Sequence, residues 1–147
     1  MPAVYHHLGV RFLYPENWSV QDEERDDWPR TVTLQSRHTS FWSLYVYPPD
    51  HDARAAVTEV IDSIRELYQD LEVLPAKETI SDAETKGVDI AFFYLDLLVE
   101  AKIRCLKAPS ALLLWHYQAE SREFDQMEPV FQAIATSLLA SQVQAVR

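Results

Sequence analysis

The sequence has only two glycines, Gly9 and Gly87, and one cysteine, Cys105, among its 147 residues. Two isolated glycines cannot form a glycine-rich phosphate loop or the Gly-x-Ser-x-Gly turn of serine hydrolases, so both classes of site are excluded. A single cysteine cannot form an intramolecular disulfide bond, which is typical of proteins in a reducing compartment.

Basic residues are also scarce, since 13 Lys and Arg stand against 23 Asp and Glu, for a net charge of −10. This balance disfavours nucleic acid and anionic lipid as partners, because both are bound through clustered cations. The longest apolar run, "IAFFYLDLLV", is interrupted by Asp96 and is shorter than the ~18 residues of a membrane span. The first residues do not have the pattern of a secretory signal. We therefore expect a cytoplasmic protein with no nucleic-acid partner and no membrane partner.

Apolar and aromatic residues are plentiful, at 48% and 12% of the chain. A chain of this length typically forms one domain and buries roughly two-thirds of the surface exposed when it is unfolded. We predict a single domain over residues 1–147 that folds without a disulfide bond or a metal ion.

Hydrophobic periodicity divides the chain into strands and helices. Eight segments have the alternation or β-branched composition of strands. The segments 86–101 and 111–119 are apolar on both alternating faces and are therefore expected to be covered on both sides. The predicted strands are residues 9–14, 18–23, 30–36, 41–47, 77–83, 86–101, 101–108 and 111–119.

Apolar residues at spacings of three and four predict two principal helices, over residues 52–72 and 129–140. A short helix beginning near Ser121 is expected to break or kink at Pro129, which lacks an N–H group. The resulting order, β-β-β-β-α-β-β-β-β-α, predicts an α+β fold. We expect a three-layer α/β/α sandwich on a mainly antiparallel sheet of about six to eight strands.

Two stretches resemble the Mog1p/PsbP-like domain family. "VRFLYPENWSV" (10–20) is similar to the family's opening Phe, Tyr-Pro and Trp pattern, and "FQAIATSLL" (131–139) is similar to its closing helix. The resemblance implies a three-layer α-β-α sandwich. It also implies a non-catalytic protein, since the family includes a GTPase-binding nuclear-transport factor, photosystem II extrinsic subunits and many bacterial proteins. No catalytic residue is carried over.

The acidic run "DEERDD" (22–27) is the first candidate site. It lacks the glycine and the closing glutamate of a calcium-binding loop. A dense acidic patch can instead attract a basic protein surface, as an acidic surface does in the GTPase-binding relatives. The structural alternative is a solvated hairpin loop. The candidate partner-binding residues are Asp22, Glu23, Glu24, Asp26 and Asp27.

Aromatic residues on several predicted strands form the second candidate site. They either pack in the core or line a groove for a small apolar ligand, where buried Tyr and Trp side chains need polar partners. The candidate pocket residues are Trp18, Trp42, Tyr94, Trp115 and His116.

The histidines lack the His-x-x-x-His spacing of a helical zinc site, so no metal and no cofactor is predicted. A nucleophilic pair of Cys105 and His116 depends on how the last two strands align. A turn at 107–110 would separate the two residues by about 13 Å. A turn at 108–111 would make them diagonal neighbours at roughly 7–8 Å, still beyond hydrogen-bond reach.

The sequence therefore favours a non-catalytic protein-interaction domain that contacts a protein partner of unknown identity through an exposed surface. The alternative is a protein that binds a small hydrophobic or aromatic ligand. A third hypothesis is an enzyme that uses His116 with Cys105 or a nearby acid.

Overall fold

A computed structural model of the chain describes residues 2–23 and 27–146, with side chains up to residue 142. It contains nine strands and two helices among these residues. The elements are β1 (Pro2–His7), β2 (Val10–Pro15), β3 (Ser19–Glu23), β4 (Arg30–Gln35), β5 (Phe41–Tyr47), α1 (Ala53–Leu67), β6 (Glu72–Ile80), β7 (Ala83–Tyr94), β8 (Leu97–Lys107), β9 (Leu112–Glu120) and α2 (Ser121–Val146).

Seven strands form one antiparallel sheet in the order β3-β4-β5-β9-β8-β7-β6, and β1 pairs with β2 in a separate two-stranded sheet. Helix α1 packs on one face of the large sheet, and α2 packs on the other face together with the β1–β2 hairpin. The predicted α+β fold is confirmed.

Strand β9 lies at the centre of the sheet and is buried on both faces, as its two-sided apolar pattern predicts. Leu112 and Leu114 belong to the core under α1, whereas Leu113, Trp115 and Tyr117 belong to the core under α2. Because side chains alternate along a strand, β9 contributes residues to the hydrophobic core on each face of the sheet.

Helix α1 begins at Ala53, one residue after the predicted start, and the side chain of Asp52 accepts a hydrogen bond of 3.1 Å from the N–H of Ala55 as its N-cap. It ends at Leu67, five residues before the predicted boundary at 72. Tyr68 adopts an extended conformation, and its ring stacks on Phe92 with centroids 4.4 Å apart. The apolar periodicity continues beyond Leu67, but the helix ends there because Tyr68 packs against the sheet in an extended conformation.

Helix α2 is continuous from Ser121 through Pro129, so of the two predicted alternatives the break at this proline is wrong. The proline removes the hydrogen bond to the carbonyl of Asp125, four residues earlier. Both Asp125 and Pro129 are exposed, and the carbonyl can therefore be hydrated instead of being buried without a partner.

The segment 86–101 is not one long strand. It contains the end of β7, a two-residue turn at Leu95 and Asp96, and the start of β8. Both turn residues have positive φ, of 50° and 64°, which is the conformation of a tight hairpin turn. Strand β8 then continues through the segment predicted as the separate strand 101–108. Strand β6 begins at Glu72, earlier than the predicted 77, and lies at one edge of the large sheet.

The N-terminal residues form β1, an element that the sequence did not predict. The turn after Tyr14-Pro15 is closed by a hydrogen bond of 3.1 Å from the N–H of Trp18 to the carbonyl of Pro15. It carries the chain from the small sheet into the large one, so β2 and β3 do not pair with each other.

Candidate functional site

The three tryptophans of the predicted aromatic pocket lie in the core beneath α2. Trp42 and Trp115 are fully buried and Trp18 is 8% exposed. The ring of Trp18 packs edge-on against Phe131 of α2, with centroids 6.1 Å apart. Each of these rings is therefore surrounded by protein atoms.

His116 and Tyr94, the other two predicted pocket residues, do not join the tryptophans. His116 lines a cleft of about 230 Å³ between α1 and strands β5 and β9, on the opposite face of the sheet. Tyr94 is 51% exposed at the end of β7. The five residues therefore do not surround one cavity.

His116 is held as a neutral imidazole. Its Nε2 shares a hydrogen bond of 3.1 Å with Oε1 of Gln118, and its ring lies edge-on to Phe41 with centroids 5.1 Å apart. Burial lowers the pKa of His116 to about 4, because a charged imidazole would lose its hydration there.

Cys105 pairs with Leu114 and Ile103 pairs with His116, which selects the second of the two predicted registers. Burial raises the pKa of the Cys105 thiol to about 11, which disfavours the thiolate needed by a nucleophile. The low proton affinity of His116 likewise provides little driving force for deprotonating a thiol.

The acidic run begins within β3, which contains Asp22 and Glu23, and Glu24 and Asp26 are outside the described residues. The carboxylate of Asp22 accepts a hydrogen bond of 2.9 Å from the hydroxyl of Tyr5, so this acid links the two sheets. Glu23 and Asp27 are exposed. All three described acids of the run are therefore exposed, and Asp22 also forms a hydrogen bond that joins the two sheets.

The hairpin of β7 and β8 ends in a group of exposed apolar side chains. We call this group the apolar tip: Phe93, Tyr94, Leu95 and Leu97, which are 70%, 51%, 77% and 44% exposed.

The apolar tip protrudes from the sheet. The last pair between β6 and β7 is Glu72 with Ala91, and the first between β8 and β9 is Val99 with Glu120. Pairing between β7 and β8 continues to Tyr94 and Leu97, beyond both neighbouring strands. The hairpin therefore extends by two to three residues, or about 7–10 Å.

Sequence reasoning missed the apolar tip because an apolar run in a strand usually indicates burial. Asp96, in the middle of the run, is the residue that signals a turn. Predicting exposure also requires the lengths of the neighbouring strands.

Two larger clefts border the helices. A groove of about 790 Å³ lies between the corner at residues 14–17 and the middle of α2. Trp18 does not line it, because this ring is packed in the core. A second cleft of about 480 Å³, here called the α1 cleft, lies between the first half of α1 and strands β7 and β8.

In the described part of the chain, no three His, Cys, Asp or Glu side chains are grouped so that they could hold a metal ion. Within the same residues, neither helix is both long and apolar enough to span a membrane.

Comparison with known proteins identifies the fold. The structure is similar to that of the cyanobacterial PsbP (CyanoP) of Synechocystis sp. PCC 6803, with a TM-score of 0.61 and 13% sequence identity. The match covers 92% of this chain and 90% of CyanoP. The structure also resembles PA94 of Pseudomonas aeruginosa, a protein of unknown function, with a TM-score of 0.51, 10% identity and coverage of 93% and 95%. No family model and no curated protein matches the sequence. The Mog1p/PsbP-like fold predicted from the sequence is confirmed, and identities this low show the fold alone.

Proposed function

We propose that this chain is a non-catalytic protein-interaction domain that contacts its partner through the apolar tip. The observation that carries the proposal is the exposure of four large apolar side chains on a protruding hairpin. Scattered exposed apolar residues are common on soluble proteins, but contiguous ones typically mark an interaction surface. Leu67, at the end of α1, adds a further exposed apolar side chain next to Tyr68, whose ring contacts Tyr94.

The backbone of Leu95 supports this proposal. Its φ of 50° lies in the left-handed region, where a non-glycine residue costs roughly 1–2 kcal/mol and where Asn or Gly is usual in hairpin turns. Leu95 is also the most exposed large hydrophobic residue of the described chain. Neither the positive φ nor the exposure of Leu95 stabilises the free domain. Residues that oppose folding in this way are typical of functional positions.

The charges near the apolar tip define the partner's chemistry. Asp96 lies in the turn itself, Glu72 pairs with Ala91 at the base of the hairpin, and Asp70 precedes β6. A complementary surface would contain an apolar recess bordered by Lys or Arg side chains. Acidic flanks disfavour insertion into an anionic lipid surface.

The acidic run at 22–27 provides a competing contact surface for the same function. It lies at the other end of the large sheet, because β3 ends there whereas β8 begins at the apolar tip. Separate substitutions can therefore distinguish the two surfaces.

The test uses Leu95→Asn, which removes the apolar side chain and supplies a residue that tolerates positive φ. We expect it to raise the free energy of unfolding by about 1 kcal/mol while abolishing partner binding. Leu74→Ser is the matched control, since Leu74 is a 54% exposed leucine on β6, away from the apolar tip. Glu23→Ser with Asp27→Ser tests the acidic run.

A photo-reactive residue at position 93 should crosslink a heterologous protein, whereas one at position 74 should not. Equal recovery of the crosslinked protein by wild type and Leu95→Asn would overturn the proposal. So would binding that is lost only in the Glu23 and Asp27 variant, or a crosslink solely to a second copy of the chain.

A further inference from the structure

The α1 cleft has aliphatic walls. Ala53, Val57 and Ile61 line it from the helix, and Val88 and Cys105 line it from the sheet. Its volume of about 480 Å³ is within the range of small-molecule sites, roughly 300–1,000 Å³. No aromatic side chain is among its lining residues, so its walls fit an aliphatic group better than a planar ring.

Positive charge is concentrated at the rim of this cleft. Arg54, Lys86 and Lys107 line it together with a single carboxylate, Glu84. This reverses the balance of the whole chain, in which acids outnumber bases by 23 to 13. Among the described residues, none of the three rim cations forms an ion pair.

Two further features add positive potential. Lys77 lies directly opposite Lys86 on the neighbouring strand, and like charges in this position repel each other. The amino-terminal end of α1, with its partial positive charge, lies at the same end of the cleft. Asp52 is the nearby acid at this end, and its side chain is engaged by the N–H of Ala55. An anion bound at the rim would relieve the repulsion between the lysines.

We propose that the α1 cleft binds an aliphatic carboxylate, with the hydrocarbon chain between α1 and the sheet and the carboxylate among Arg54, Lys86 and Lys107. The aliphatic walls and the cationic rim each match one part of such a ligand. The site is independent of the apolar tip, because Leu97 and Lys107 are at opposite ends of β8, about 33 Å apart along the strand.

The experiment is calorimetric titration of the full chain with decanoate below its micellar concentration. We expect saturable one-to-one binding that is at least tenfold tighter than that of decanol or decylamine. Octanoate should bind about 15-fold more weakly than decanoate, because each buried methylene contributes about fourfold in affinity. Amide chemical shifts should change within residues 53–61 and 86–88.

Lys86→Gln with Lys107→Gln should weaken decanoate binding at least tenfold and leave decanol binding unchanged. Arg65→Gln removes a cation from the exposed carboxy-terminal end of the same helix and should bind decanoate as wild type does. Val57→Phe, which fills the cleft, should weaken both ligands. Circular dichroism checks that each variant is folded.

Absence of saturable decanoate binding would overturn the proposal, as would equal affinities for decanoate and decanol. The proposal would also be overturned if the double lysine variant and Val57→Phe both bound decanoate with the affinity of wild type. Leu95→Asn should retain decanoate binding, so failure of the protein-interaction proposal and failure of the ligand proposal are separable.

Discussion

The backbone N–H of Leu13 donates a hydrogen bond of 2.8 Å to the hydroxyl of Ser137, 124 positions later in the chain. The Ser137 hydroxyl in turn donates to the carbonyl of Ile134 at 3.1 Å. Because β2 pairs only with β1, part of its backbone faces away from the small sheet, and α2 supplies the acceptor. This contact gives a structural reason for the serine in "FQAIATSLL", one of the two stretches that resemble the family.

Ser137→Ala should lower the free energy of unfolding by about 1–3 kcal/mol, because a half-buried N–H group loses its acceptor. Thr136→Ala is the matched control, since Thr136 is exposed on the same turn of α2 and should change stability by less than about 0.5 kcal/mol. Urea denaturation measures both values. Equal losses in the two variants would show that the hydrogen bond to Leu13 does not stabilise the fold.

Trp18→Ala should destabilise the protein by roughly 3–5 kcal/mol, because a large buried ring that packs on Phe131 is replaced by a cavity. Trp28→Ala removes a tryptophan that is 44% exposed and should cost less than about 1 kcal/mol. Thermal denaturation compares the two. A small loss for Trp18→Ala would instead indicate an exposed, ligand-stacking role for this ring.

His116 should make stability depend on pH. Its folded-state pKa of about 4 is below the ordinary 6.5, so between these values the unfolded chain takes up a proton that the folded chain does not. This contribution is fully present above pH 6.5 and is lost as the pH falls towards 4, for a total of about 3 kcal/mol.

The measurement compares wild type with His116→Gln by denaturation at about pH 7 and about pH 4.5. We expect the stability of wild type to fall by about 2–3 kcal/mol more than that of the variant, because carboxylates titrate alike in both proteins. Parallel losses in the two proteins would mean that His116 is not buried as a neutral group.

Gly87→Ala should destabilise the sheet by about 3 kcal/mol or more. A Cβ at this position would lie 1.8 Å from the carbonyl oxygen of Ile103 on β8, and this backbone atom can move only if the two strands separate. Gly9→Ala is the comparison, because it meets no atom within 4 Å and carries only the cost of its positive φ, about 1 kcal/mol. A larger loss of stability in Gly9→Ala than in Gly87→Ala would contradict this account.

Local signals predicted much of the fold. Apolar spacing predicted the start of α1 to within one residue, and the strand pattern of residues 111–119 predicted β9. They failed at the ends and interior of the helices. Tyr68 leaves α1 and stacks on Phe92, and α2 continues through Pro129 at a place where Asp125 and Pro129 are both exposed. The candidate pocket failed to assemble because Trp115 and His116 are adjacent on one strand and point to opposite faces of the sheet.

The sequence by itself determined the α+β layers, the positions of the amphipathic helices and the two-sided core, because each follows from hydrophobic periodicity along a short segment. Only the tertiary structure decided which side chains meet. The apolar tip is exposed because β7 and β8 extend beyond the paired ends of β6 and β9. The rim cations lie close together because α1 crosses the sheet beside Lys86 and Lys107. Both features depend on how separate segments align with one another, which no pattern within a single segment specifies.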